Sequence, residues 1–228
     1  MGKEQILFRQ STPLQESARN FALHLFDAFR FEVSGVENLN HLSEPSILAF
    51  FPHYGHADLP AIRKAVPSNL RKLLVFPEAA DYWSTNPFRS QISSLFLPTI
   101  PLNRDGAGSV ILDDLDTLGG LMSSGYSVVV SPEGTRSELP LEERELRTGT
   151  AELALRTHCP VIPVRLYGFE DVMPKGTPLP RLFDRLQRRS VKVVFGSALR
   201  FGKEAFSGTR AQTRKATTHV LREVLLRM

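Results

Sequence analysis

The sequence predicts a single α/β domain with a mostly parallel central sheet and helices on both faces. Three observations predict it. Short apolar runs alternate along the chain with helical patterns. The runs are apolar throughout instead of alternating with polar residues, as strands covered on both faces must be. The chain has 228 residues, 42% hydrophobic and 23% charged, which supplies one sizeable core and excludes wholesale disorder.

The first element is a helix. Thr12-Pro13 offers an N-cap followed by proline at the first helical position. Apolar residues then recur at Leu14, Ala18, Phe21, Ala22, Leu25, Phe26 and Phe29, in steps of three and four, with Arg19, Asn20 and Asp27 on the polar side. Such a stripe suits packing on a core or lying on lipid equally well, because both are apolar. Residues 1–34 are therefore expected to form an N-terminal amphipathic segment open to a membrane interface. The α/β core is expected over 35–200. Its strands are predicted at 46–51, 72–76, 99–102, 127–130, 161–166 and 191–195, and its helices near 58–66, 87–96, 108–122 and 145–157. Residues 201–228 read as a basic helix packed on that core.

Composition narrows the function. The lone cysteine, Cys159, excludes an internal disulfide framework and a zinc ribbon, and fits a reducing compartment. No apolar stretch reaches the ~20 residues that span a bilayer, and no signal-peptide pattern opens the chain. A cytoplasmic protein, or one lying peripherally on the cytoplasmic face of a membrane, is expected. The net charge of +4 is unevenly spread: residues 175–228 hold 13 basic and 3 acidic residues, leaving 1–174 net acidic. That basic quarter suits an anionic membrane surface or an acidic carrier protein. Lys175-Gly176 and the cluster over 181–192 are its most available part. No zinc spacing or interleaved aromatic run accompanies it, so nucleic acid is not an expected partner.

In a sheet of this kind the chemistry gathers in loops at strand ends. Four such segments carry usable side chains. Phe51-Pro52-His53-Tyr54-Gly55-His56-Ala57-Asp58 leaves the first strong strand and enters a helix. Residues five apart do not share a helix face, but a strand-to-helix turn, eased by Gly55, can fold Asp58 back onto the His53 ring. A carboxylate on one ring nitrogen fixes the tautomer and leaves the other as a general base. Ser131-Pro132-Glu133-Gly134-Thr135-Arg136-Ser137 follows the strand at 127–130, and Arg136 has the fork that grips a phosphate. There Glu133 is suited to position Arg136 or a substrate hydroxyl. Pro101-Leu102-Asn103-Arg104-Asp105-Gly106 repeats the pattern of strand end, arginine and turn glycine. Cys159-Pro160-Val161-Ile162-Pro163-Val164 is an apolar strand with a mid-run proline, a sign of an edge, a bulge or a pocket wall.

In this order the four segments resemble the glycerolipid acyltransferase family, typified by the lysophosphatidic acid (1-acyl-glycerol-3-phosphate) O-acyltransferases. The family's His-x4-Asp is matched by His53 and Asp58, and its Pro-Glu-Gly-Thr-Arg-Ser at every position by Pro132 to Ser137. Its arginine after a short strand is matched loosely by Arg104, and its proline-containing strand by Val161 to Val164. A glycine-led helix between the last two is matched by Gly149 to Leu155. The chain departs at Pro52, where the family usually has Asn or Ser.

The resemblance implies a glycerolipid-acyltransferase-like fold and acyl transfer from a thioester, acyl-coenzyme A or acyl carrier protein, to the hydroxyl of a lysophospholipid. It implies His53 and Asp58 as catalytic residues and Arg104, Glu133, Gly134, Thr135 and Arg136 as the acceptor and phosphate site. No metal and no cofactor beyond the thioester co-substrate are implied. An apolar groove for the acyl chain is expected among Phe50, Phe76, Tyr82, Trp83, Phe88 and Phe96. Two alternatives stand beside it. One is a metal-dependent hydrolase using His53, His56 and Asp58; the other is a non-catalytic lipid- or carrier-binding protein with a relic site.

Overall fold

The computed structural model describes residues 11–40, 44–80, 95–103, 112–173, 177, 180–202 and 208–228. Helix α1 (Pro13–Ala22) begins as its sequence dictates. Thr12 and Gln15 exchange side-chain and backbone hydrogen bonds in a capping box, with Pro13 following the cap. A 3₁₀ segment, Leu23–Ala28, continues it into strand β1 (Arg30–Ser34). Then follow β2 (Ile47–Phe51), helix α2 (Asp58–Ala65), β3 (Leu74–Ala79), β4 (Thr99–Leu102), helix α3 (Leu112–Ser123) and β5 (Ser127–Val130). Helix α4 (Gly149–Thr157), β6 (Val161–Tyr167), a hairpin of β7 (Phe183–Asp184) and β8 (Gln187–Arg188), β9 (Ser190–Phe195) and helix α5 (Arg210–Arg227) complete the order.

The described residues form a seven-stranded sheet in the order β1-β9-β6-β2-β5-β3-β4. Neighbours run parallel except β9 against β6, where Tyr167 lies opposite Lys192. This reversal matters for position. The ends of β2, β5 and β6 and the beginnings of β1 and β9 share one edge of the sheet.

Strand alternation divides the core in two. Leu48 and Phe50 of β2 face α2 and the segment around Phe26 and Phe29. Ile47, Ala49 and Phe51 face α3, α4 and α5, where Leu115, Leu118, Leu153, Leu221 and Leu225 meet them. The mostly parallel, doubly covered sheet expected from the sequence is therefore the one observed. Two strand elements lie outside the expected set: β1, whose residues are largely exposed at the sheet edge, and the β7–β8 hairpin. Most of the expected helix over 87–96 lies outside the described residues.

Pro163 does not mark an edge, since β6 is interior. It is accommodated where the β6–β9 ladder breaks. Beyond the Val164–Phe195 pair, the Gly196 N–H donates to the Pro163 carbonyl at 2.8 Å, and no N–H is needed in return.

Helix α1 lies on this core with its polar side inward. Arg63 of α2 is fully buried, and its Nη2 donates to Glu16 Oε2 at 2.7 Å. Arg19, also buried, meets Glu16 at 3.0 Å. Leu14 and Phe21 are 80% and 79% exposed. The single apolar stripe expected from the sequence is thus split. Ala22, Leu23, Phe26 and Phe29 turn inward, whereas Leu14, Ala18, Phe21 and Leu25 turn outward. The split follows ordinary helical spacing: Arg19, Ala22, Leu23 and Phe26 fall on the face that meets the core, and Leu14, Ala18, Phe21 and Leu25 on an adjacent one.

Candidate active site

The chain leaves β2 at Phe51 and re-enters regular structure at Asp58, the first residue of α2. An acidic residue there is favoured by the helix dipole. It also terminates the intervening loop, because Asp58 Oδ2 accepts the backbone N–H groups of Tyr54 at 2.7 Å and Gly55 at 2.9 Å. The same oxygen lies 2.8 Å from His53 Nδ1. Asp58 is 1% exposed and the His53 side chain 22%, so a buried carboxylate supports a ring that still reaches solvent. The ring stands edge-on to Phe50 at 5.3 Å, which limits its rotation. Gly55 is required for close approach instead of turn freedom: a Cβ there would sit 2.6 Å from the Met173 carbonyl oxygen.

The loop after β5 meets this turn from the other side. Glu133 is buried, and its Oε2 accepts the His53 backbone N–H at 2.5 Å. Its Oε1 faces Arg144 Nη1 at 3.4 Å. Burial pushes the Glu133 carboxyl up, opposed by the His53 N–H and by Arg144. The arginine paired with Glu133 is therefore Arg144, and both carboxylate oxygens are occupied by protein. This contact also supplies what Pro52 withholds. Although position 52 has neither a side-chain hydrogen-bonding group nor a backbone N–H, the His53 backbone is anchored from the neighbouring strand end.

Gly134 adopts φ +72°, open to glycine at little cost. A Cβ there would lie 2.8 Å from Arg147 Cδ, whose own backbone N–H donates to the Pro132 carbonyl at 2.7 Å. Thr135 is exposed and Arg136 half-buried in the same loop. The structure therefore brings His53, Asp58, Glu133 and Gly134 into one assembly, with Thr135 and Arg136 on the loop that Glu133 ties to His53. Arg104 lies outside the described residues, as do Tyr82, Trp83 and Phe88 of the expected acyl groove. Phe50 and Phe76 are buried core residues, and Phe96 packs half-buried against them.

Three arginines of this region had no motif to announce them. Arg144 is buried with its guanidinium 4.9 Å above the Tyr54 ring, and its Nε donates to the Leu139 carbonyl. Arg147 lies along Gly134. Arg165, in register with Phe51, is buried between the Phe51 and Tyr167 rings at 5.0 and 5.4 Å. Burial raises the Tyr54 phenol, with Glu170 adding to the effect and Arg144 and Arg165 opposing it. Arg144 and Arg147 stand in the segment between β5 and α4 and Arg165 within β6, so spacing alone does not single them out.

His53, His56 and Asp58 do not gather as metal ligands. Among the described residues no group of three or more His, Cys, Asp or Glu side chains is arranged to hold a metal ion.

A sheet whose strand ends join an imidazole–carboxylate pair to a Pro-Glu-Gly-Thr-Arg-Ser loop defines a class that known proteins also show. The family model described as Acyltransferase matches residues 30–167, more than half of the chain, and the chain belongs to that family. Among solved structures it superposes on PlsC, the 1-acyl-sn-glycerophosphate (LPA) acyltransferase of Thermotoga maritima. The TM-score is 0.61 at 18% identity, over 94% of this chain and 78% of that one. At that identity the likeness speaks to the fold. No curated protein matches the chain in sequence.

Proposed function

We propose that the protein transfers a fatty acyl group from a thioester, of coenzyme A or of acyl carrier protein, to a hydroxyl of a lysophospholipid such as 1-acyl-glycerol-3-phosphate. The observation that carries the reading is the 2.8 Å contact between His53 Nδ1 and the buried Asp58. With Nδ1–H donating to the carboxylate, Nε2 is the basic nitrogen, and no described residue is bonded to it. It takes the proton from the acceptor hydroxyl as that oxygen attacks the thioester carbon. The C–S bond breaks, and the imidazolium returns the proton to the departing thiolate. Asp58 stabilises the imidazolium and holds the tautomer. No protein nucleophile is needed, because the acceptor itself attacks.

Arg136 is the proposed grip on the acceptor phosphate, with Arg104 as its partner. Gly134 and Thr135 shape that loop, and Glu133 braces it against His53. Holding the phosphate far from the reacting hydroxyl converts binding energy into orientation. Such an acceptor resides in a membrane, and the protein is proposed to work peripherally on an anionic, cytoplasmic surface. The outward Leu14, Phe21 and Leu25 support that contact. No helix among the described residues is long and apolar enough to cross a membrane.

The test is thiol release from an acyl thioester in the presence of lysophosphatidic acid. His53→Ala is expected to lower turnover by about 10²–10⁴-fold. Equal turnover in variant and wild type would remove His53 from the chemistry. Arg136→Ala is expected chiefly to raise KM for the phosphorylated acceptor.

A further inference from the structure

The β7–β8 hairpin is a feature that acyl transfer does not use. Asp184 pairs with Gln187, so the turn consists of Arg185 and Leu186 alone. Their φ angles are +45° and +74°. Two-residue turns of this hand are ordinarily Asn-Gly or Asp-Gly, because a Cβ is strained in left-handed backbone. Leucine is a poor residue for that position, and its side chain gains nothing from the fold: Leu186 is 98% exposed. Phe183 on the adjoining strand is 57% exposed. Arg181, Arg185 and Arg188 lie beside them in the chain, all exposed. A strained, bare leucine on a hairpin that also carries exposed arginines calls for a reason outside the folded chain.

Its location supplies one. Arg188 Nη1 donates to the Asp27 carbonyl at 3.3 Å, and the Arg30 N–H donates to the Arg189 carbonyl at 2.9 Å. The hairpin therefore leans on the segment that continues α1. On its other side, Arg189 pairs with Asp171 at 3.6 Å, and the Arg181 N–H donates to the Val172 carbonyl at 2.7 Å. The next residue, Met173, presents its carbonyl to Gly55 in the His53 loop. Because β9 runs against β6, the hairpin emerges at the sheet edge where His53 stands.

We propose that this hairpin inserts Leu186 into an anionic lipid surface, with its arginines at the level of the headgroup phosphates. It is a second anchor beside α1, and it holds the catalytic edge of the sheet toward the bilayer. Charge alone would suit an acidic carrier protein equally. The two bare apolar side chains select lipid, whose interface accepts both an apolar tip and a cationic collar. The proposal rests on the membrane-contact reading of α1 and extends it to a separate element.

The test is cosedimentation with phosphatidylcholine vesicles containing phosphatidylglycerol, with no substrate present. Arg185→Asn combined with Leu186→Gly installs the turn pair this geometry prefers. The variant is expected to keep or raise the thermal midpoint, yet to partition about tenfold more weakly. Wild-type partitioning is expected to weaken as salt rises and on vesicles lacking the anionic lipid. His53→Ala is expected to pellet like wild type, so the lipid reading and the acyl-transfer reading fail separately. Equal partitioning of wild type and the hairpin variant would overturn the hairpin proposal alone. Absence of wild-type binding would overturn it together with the α1 reading. A variant that still pellets but loses turnover only with a carrier-protein thioester would overturn it in favour of carrier docking.

Discussion

Helix α5 turns Leu221 and Leu225 into the core, while its arginines flank them, Arg210 and Arg214 reaching the buried Glu152 and Arg222 the carbonyls of Glu142 and Arg144. Helix α1 does the reverse, since Glu16 and Arg19 point inward to Arg63 while Leu14 and Phe21 point to solvent. Both helices are bounded by the same Thr-Gln capping box, so local propensity is not the difference. The difference lies in which side faces the core: leucines in α5, with Arg210 and Arg214 reaching the buried Glu152 at its flank, and Glu16 and Arg19 in α1. A helix held by its polar side keeps its apolar side for something else.

The largest effect is expected at the base of α1. Arg63→Ala removes the guanidinium that Glu16 meets at 2.7 Å, leaving it Arg19 alone among the arginines, and empties a fully enclosed site. A loss of about 3–5 kcal/mol in denaturant unfolding is expected. A loss below about 1 kcal/mol would show that the ion pair does not hold α1, and the contrast with α5 would collapse. Leu221→Ala tests the other helix. It removes apolar volume from a packed core position and is expected to cost about 2–4 kcal/mol.

These two sites also mark what could be read before the structure. Leu221 and Leu225 stand in a pattern of ordinary helical spacing on a basic helix, and that reading suffices for α5. The α/β class was legible because β2, β5 and β6 are apolar on both faces, which leaves few alternatives. His53 and Asp58 were legible as a pair because a strand-to-helix turn is short and brings its ends together. The orientation of α1 was not legible, since its inward face depends on Arg63, 47 residues after Glu16. Nor was the role of Glu133, which rests on a contact with a backbone N–H 80 residues away. The basic quarter illustrates the same limit. Its charges count alike in sequence, yet Arg210 and Arg214 are engaged by Glu152, whereas Arg181 and Arg185 stand exposed at the hairpin. The hairpin itself was missed because Arg-Leu is not a turn signal.

A gentler probe of α1 uses pH. Burial alone would raise the Glu16 carboxyl, but hydrogen bonds and charge from Arg63, with Ser11 and Arg19, outweigh it and hold it below the ordinary glutamate value. The unfolded chain then binds the proton more readily than the folded one. The stabilisation is complete above the ordinary glutamate value and is lost as pH falls through the folded one. Glu16→Gln is expected to flatten this acid limb of the stability profile. An unchanged limb would assign the acid sensitivity to other carboxylates.

The smallest stability effect is expected at Phe21. Phe21 is larger than Leu221, and if side-chain size decided, its removal would cost more. Phe21 is 79% exposed, so Phe21→Ser is expected to shift unfolding by no more than about 0.5 kcal/mol. The same substitution is expected to weaken partitioning onto anionic vesicles, where Leu221→Ala, if folded, has no such effect. A phenylalanine whose loss the fold ignores and the lipid registers is retained for the surface it meets outside the protein. Should Phe21→Ser instead unfold the chain without altering vesicle binding, α1 would be a core helix like α5, and its exposed stripe would carry no functional meaning.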